Sequence, residues 1–196
     1  MTELTLQLAA EADFPTRWAH FRIFGFSLGS DSAVALRLAE RPVPAPLVRI
    51  HSQCLTGDVF ASLRCDCRQQ LEMALGAIAS EGAGVLIYED KEGRGIGLLN
   101  KLRAYALQDA GADTVEANEK LGFAPDARDY ALPAAILRHL GLQRVRLLSN
   151  NPDKVRALEA GGIEVAERVP CHAEALSPQA REYLEVKREK LGHFAS

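Results

Sequence analysis

The early part of the chain alternates apolar and polar side chains with the period of a strand. Trp18-Ala-His-Phe-Arg-Ile-Phe-Gly-Phe, Ala33-Val-Ala-Leu-Arg-Leu and Leu47-Val-Arg-Ile-His are separated by Gly, Ser, Asp and Pro clusters. Several antiparallel strands are therefore expected between about residues 3 and 52. Ser32 to Glu40 suits a helix by its alanines and leucines and a strand by its alternation; the strand is preferred. Pro42-Val-Pro-Ala-Pro reads as the lead-in to an edge strand rather than as a boundary between domains.

Beyond the cysteines the rhythm changes. Leu71, Leu75 and Ile78 recur at helical spacing within Gln69 to Ala79, predicting an amphipathic helix. Gly84-Val-Leu-Ile-Tyr predicts a short buried strand, and Leu98 to Ala110 a second helix with Gly111 where a C-terminal cap belongs. A helix over about Leu132 to Leu140, a strand at Arg144-Val-Arg-Leu-Leu, a helix from Pro152 to Ala160 and a strand at Ile163-Glu-Val-Ala-Glu follow. A polar helix from Gln179 to Leu191 closes the chain. This alternation implies an α/β fold, with layered helices around a mixed β-sheet and a β-rich N-terminal part. The expected organisation is one domain over residues 1–196, β-rich over 1–67 and alternating α/β over 68–196.

Composition narrows the class. Of the 196 residues 47% are hydrophobic and 25% charged, as in an ordinary globular chain. No apolar run approaches the roughly 20 residues that a membrane span needs, so no membrane partner is expected. The N-terminus lacks the positive-then-apolar pattern of a secretory signal, which makes the cytoplasm the expected compartment. A net charge of −3 gives no general attraction to nucleic acid, and any anionic ligand must be held by a local basic cluster.

Three of the four cysteines, Cys54, Cys65 and Cys67, fall within fourteen positions. In a cytosolic chain such a group points to a metal or a catalytic thiol before a disulfide framework. Cys65 and Cys67 are two apart, so an extended segment would present both on one face, and a turn at Gly57-Asp58 would return Cys54 to them. Three thiolates suit zinc. The alternatives are small buried hydrophobes or a redox pair. A closed structural site needs a fourth ligand, for which Cys171, His172 and His51 are candidates; an open site leaves that position to water, whose pKa zinc lowers to about 7.

Two segments are candidates for holding an anion. Lys91-Glu-Gly-Arg-Gly-Ile-Gly lies between a strand and a helix, where backbone N–H groups can meet phosphate, although it is neither the dinucleotide fingerprint nor the Walker loop. In Ser149-Asn-Asn-Pro-Asp-Lys154, Asn151 can cap a helix that starts at Pro152, with Lys154 in its first turn. A lysine there opposes the helix dipole, and either a bound phosphate or plain solvation explains it. Asp126-Ala-Arg128-Asp129 offers a base beside a cation or a salt-bridged surface loop. Tyr105 shares a helical face with Leu98 and Leu102, which suits packing.

Arg49-Ile-His-Ser-Gln-Cys-Leu-Thr-Gly-Asp, Ser62-Leu-Arg-Cys-Asp-Cys, Glu92-Gly-Arg-Gly-Ile-Gly-Leu-Leu-Asn-Lys-Leu-Arg-Ala-Tyr-Ala-Leu-Gln-Asp and Asp113-Thr-Val-Glu-Ala-Asn together closely resemble GTP cyclohydrolase II. The likeness continues through Leu121-Gly-Phe and Asn150-Asn-Pro to Glu167-Arg-Val-Pro. That resemblance implies hydrolysis of GTP to 2,5-diamino-6-ribosylamino-4(3H)-pyrimidinone 5′-phosphate, formate and pyrophosphate, the first committed step toward riboflavin. It implies one zinc per subunit on Cys54, Cys65 and Cys67, and magnesium on the nucleotide phosphates. It further implies GTP contacts at Arg49, Ile50, His51, Ser52, Gln53, Gln70, Glu92, Gly93, Arg94, Thr114, Ser149 and Lys154, and a homodimer. Asp126 would accept a proton, Tyr105 would assist ring opening, and Arg128 would act at the α-phosphate. The family's mechanism assigns Arg128 as a nucleophile, but a guanidinium stays protonated, which favours stabilising phosphate charge. The chain departs from the family pattern at Gln53, where Glu is expected, at Arg68 for Gly, at Ser149 for Thr, and at Glu89-Asp-Lys91, where an arginine-glutamine pair commonly precedes Glu92. Two other readings remain open. One is a divergent paralogue that stops at a formylated intermediate or uses another purine nucleotide; the other is a non-catalytic nucleotide-binding protein with a structural zinc.

Overall fold

The computed structural model describes residues 4–123 and 129–171, with scattered positions between 177 and 192. The strands are β1 (Gln7–Pro15), β2 (His20–Leu28), β3 (Asp31–Ala39), β4 (Leu47–Ser52), β5 (Ala83–Glu89), β6 (Arg144–Leu148) and β7 (Glu164–Val169). They form one seven-stranded sheet in the order β1-β2-β3-β5-β4-β6-β7. The helices among the described residues are α1 (Leu55–Asp58), α2 (Cys67–Glu81), α3 (Leu98–Asp109), α4 (Thr114–Lys120), α5 (Ala131–His139) and α6 (Pro152–Ala160), with a 3₁₀ turn over Glu92–Gly95. The expected α/β fold with a strand-rich beginning is what forms, and Ser32 to Glu40 is strand.

The expectation of an antiparallel first part holds for β1, β2 and β3 and fails for β4. β3 pairs antiparallel with β5, whereas β4 pairs parallel with both β5 and β6. Local alternation reads the same in either direction; the crossover through α2 is what makes β4 parallel to β5. Two short helices, α1 and α4, were not anticipated. Of the polar helix expected over residues 179–191 only Ala180, Arg181, Leu184, Glu185, Arg188 and Glu189 are described, each helical.

Period-2 alternation distributes the core to both faces of the sheet. Phe24, Phe26, Ala33, Ala35, Val48, Ile50, Val85 and Ile87 face α5 and α6, where Leu132, Ile136, Leu137 and Leu158 are fully buried. Phe21, Leu36, Leu38, Leu47 and Leu86 face α2 through Ala74, Leu75 and Ile78. The chain leaves β4 toward β5 on one side and returns on its other side as β6. In parallel α/β sheets ligands occupy the crevice outside the carboxyl ends of strands at such a reversal. Here those ends are Ser52, Glu89 and Leu148.

Candidate metal and nucleotide site

The three cysteines meet just beyond β4. Their sulfurs all lie within 4.8 Å of one another, and Cys54 Sγ is 3.7 Å from Cys65 Sγ. Zinc–sulfur bonds of about 2.3 Å place two sulfurs of a tetrahedral site about 3.8 Å apart, so the trio has the spacing such an ion requires. Gly57 leaves room for it: a Cβ there would stand 2.8 Å from Cys65 Sγ and 3.1 Å from Cys54 Sγ. The route to convergence differs from expectation. Cys67 is the first residue of α2 rather than part of an extended pair with Cys65, and the Gly57-Asp58 turn is the helical turn α1. Cys171 packs in the core beside Phe21 and α2, away from the trio, and His172 lies outside the described residues.

Hydrogen bonds among the thiols and the charge of Lys101 drive the Cys54 pKa far down. Cys65, whose bond to Cys54 acts first, is pushed up to about 11, and Cys67 is raised as well.

Asp58, four residues after Cys54, holds that cysteine in place. Its buried carboxylate accepts from the Cys54 amide at 3.0 Å, the Tyr88 hydroxyl at 2.8 Å and His51 Nε2 at 3.1 Å. Burial lowers the His51 pKa in spite of Asp58, so the ring is neutral near pH 7 and Nε2 carries the hydrogen. Protonation of unfolded His51 near 6.5 then draws the equilibrium toward the unfolded chain. This contribution to stability is intact above pH 6.5 and is lost as pH falls through it, by at most about 1.4 kcal/mol per unit. Urea midpoints of the metal-loaded protein at pH 7.5 and 5.5 should therefore fall further for the parent than for His51→Gln. Equal falls would remove His51 from the pH response.

The carboxyl ends of β4 and β6 gather the basic groups. Arg49 donates to the Leu148 carbonyl at 3.0 Å and to Gln70 Oε1 at 2.5 Å, and Gln70 in turn donates to Asp66. Asn151 caps α6 by accepting from the Asp153 amide at 2.8 Å, and the buried Ser149 hydroxyl accepts from the Asn151 amide. Lys154 is 5% exposed and donates to the Ile50 carbonyl at 2.7 Å, so it is not the solvated lysine of a plain cap. Arg49 Nε, His51 Nδ1 and Asp66 Oδ1 are buried without a hydrogen-bond partner among the described residues. Such atoms are costly to bury unless water or a ligand completes their bonding.

The Gly-rich segment turns sharply. Gly93, Gly95 and Gly97 have positive φ, and so does Arg94 at 61°, a left-handed conformation that strains a residue with a Cβ. Helix α3 follows with no side-chain cap bond, leaving its first N–H groups beside a cleft of about 460 Å³ that Gln53, Glu92, Gly97 and Leu98 help to line. Lys91, 8% exposed, donates to the Asp129 carbonyl at 2.9 Å and lies 2.8 Å from Asp31 Oδ2. The residue that departs from the usual motif thus braces one wall of the cleft. Arg68 also departs, and pairs with Glu72 one turn along the exposed side of α2.

Tyr105 is not mere packing. Its hydroxyl is 3.2 Å from Thr56 Oγ1, which is 3.7 Å from Cys54 Sγ. Burial raises its pKa, so it remains a phenol at neutral pH. Glu92 Oε2 accepts from the Leu55 amide at 2.6 Å, joining the Gly-rich turn to the metal loop. Asp126 and Arg128 lie outside the described residues, and Thr114 begins α4 with its side chain outside them. Sequence reasoning assigned no role to Asp58, Tyr88 or Lys101. Asp58 stands four residues after Cys54 and Lys101 four before Tyr105, the one-turn spacing that could have drawn attention to two of them.

The family model described as GTP cyclohydrolase II matches residues 7–170. The chain is 56% identical over 188 residues to GTP cyclohydrolase-2 of Pseudomonas syringae pv. tomato, covering 94% of this chain and 91% of that protein. It is 53% identical over 196 residues to riboflavin biosynthesis protein RibBA of Aquifex aeolicus, covering 98% of this chain and 48% of the relative. A similar match, 53% over 192 residues, covers 96% of this chain and 52% of riboflavin biosynthesis protein VVA0006 of Vibrio vulnificus. The chain thus spans about half the length of these last two relatives. With the family model covering most of its length, the chain belongs to the GTP cyclohydrolase II family.

Proposed function

We propose that this protein hydrolyses GTP, opening the imidazole ring of guanine with loss of its C8 as formate and releasing pyrophosphate. The observation that carries this reading is the meeting of three thiols with Tyr105 and Glu92 at the carboxyl ends of β4 and β5. Cys54, Cys65 and Cys67 would hold zinc, whose Lewis acidity makes hydrolysis at an electron-poor ring carbon possible near neutral pH. Magnesium on the nucleotide phosphates would need few protein ligands.

The protein's own groups supply binding and proton handling. Arg49 within β4 and Lys154 in the first turn of α6, both buried, furnish positive charge that a triphosphate needs in a chain of net negative charge. Arg94 and the uncapped start of α3 add a cation and free N–H donors. The residues from Ile50 to Gln53, with Gln70, Gly93, Thr114 and Ser149, complete the proposed nucleotide contacts. Tyr105, a neutral phenol near the thiols, can donate a proton to a ring nitrogen as the C–N bond breaks. Asp126 is proposed to accept a proton and Arg128 to stabilise charge at the α-phosphate.

The test is incubation of the zinc-loaded protein with GTP and magnesium while formate, pyrophosphate and the pyrimidine are followed together. Equal amounts of all three support the complete reaction. Pyrophosphate without formate replaces it with an arrested one, and bound GTP without turnover removes the enzymatic reading.

A further inference from the structure

Lys101 is only 12% exposed and belongs to neither the thiol trio nor the proposed nucleotide contacts. Its ammonium lies 3.1 Å from Cys54 Sγ and 2.7 Å from Glu92 Oε1. Withdrawing an ammonium from water is costly unless it is paired and hydrogen-bonded. Glu92 provides one partner, and its second oxygen is already taken by the Leu55 amide. The other contact of Lys101 is to sulfur. Leu55, Glu92, Lys101 and Cys54 thereby form a closed ring joining the metal loop, the Gly-rich turn and α3.

Three thiolates around a divalent ion leave one net negative charge, and in this half-buried place it needs a counter-charge. Arg64, a second cation near Tyr105 among the described residues, stacks on that ring at 4.7 Å and pairs with Asp109 at 2.6 Å, its side chain 39% exposed. It is directed outward. We propose that Lys101 is the counter-charge of the three-thiolate site and the positioning residue for Cys54, holding that sulfur in its ligating direction through a bond braced by Glu92. Groups that contact ligands in this way tune metal affinity without touching the ion. The inference rests on the reading of the cysteines as zinc ligands and on no assumption about the reaction.

The experiment is competition for zinc between the full-length protein and a chromophoric chelator at one pH, for the parent, Lys101→Met and Lys101→Arg. Circular dichroism and thermal melting establish that each variant is folded. Methionine should weaken zinc binding roughly 10–100-fold, and arginine, which keeps the charge, should retain most of the affinity. Should the methionine variant fail to fold, Lys101→Gln takes its place in the same comparison. A neutral variant that binds zinc as tightly as the parent overturns the proposal. So does an arginine variant as weak as the neutral one, because shape and not charge would then be the cause. A parent that takes up no zinc overturns the metal reading and this role together, whereas a parent that binds zinc without hydrolysing GTP leaves the role intact and removes the proposed reaction.

Discussion

Cys54→Ser should leave a folded protein that neither retains zinc nor turns over GTP, with kcat/KM lowered by at least about 10³-fold. The magnitude follows from the several kcal/mol that a Lewis-acidic ion contributes to a hydrolytic transition state, at about 1.4 kcal/mol per factor of ten. Cys54 is the most sensitive of the three positions for reasons of geometry and charge. Its sulfur accepts from the Lys101 ammonium, and its amide is tied to Asp58. Metal analysis after gel filtration and a formate assay on the same sample would decide the matter. Full zinc content with normal turnover would sink the three-thiol site; normal zinc with lost turnover would move Cys54 from ligand to reactant. The backbone bond to Asp58 survives the substitution, so unfolding is not the expected cause of any loss.

Gly84→Ala should destabilise the whole fold by about 3 kcal/mol, the upper part of the range for overpacking a core. Gly84 sits in β5 opposite Leu47 of β4, where a Cβ would stand 2.6 Å from the Leu47 carbonyl oxygen and 3.0 Å from two carbons of Ile78 on α2. Neither neighbour can yield cheaply. The oxygen is main chain of a buried strand, and Ile78 is fully buried beneath it. Its φ of 155° adds to the strain for any residue with a side chain. Relief would require β4 to move away from β5, and β4 carries Arg49 to Ser52 at its end. A urea titration should show a lower midpoint, and GTP affinity should fall in proportion to the displacement of β4. A variant as stable as the parent would mean that the pair separates without cost, and the packing argument would fail.

Much of this architecture was legible in local pattern. Leu71, Leu75 and Ile78 announced α2, the alternation of Ala33 to Leu38 announced β3, and Asn151-Pro152 marked the start of α6 with its cap. The density of Cys54, Cys65 and Cys67 pointed to a metal because few other uses gather thiols so closely. The direction of β4 was not legible, since alternation has no sense of direction and the decision belongs to the crossover through α2. Nor was the means by which Cys67 turns its sulfur inward, which depends on where α2 begins rather than on an extended spacing. Lys154 illustrates a different limit. Sequence left a solvated lysine and a phosphate ligand equally available, and its burial against the Ile50 carbonyl removed the first.

By itself the sequence determined the class of fold, most of the order of its elements, the three thiols and the family, because periodicity, turn chemistry and motif spacing are properties of neighbours along the chain. Only the tertiary structure decided that Asp58, itself bonded by Tyr88 and His51, holds Cys54, that Lys91 braces the cleft and that Lys101 faces a sulfur. The physical reason is that burial and pairing are set by contacts between segments far apart in sequence. A charged side chain such as Lys101 has no defined partner until α3, the Gly-rich turn and the Cys54 loop have been brought to the same strand ends.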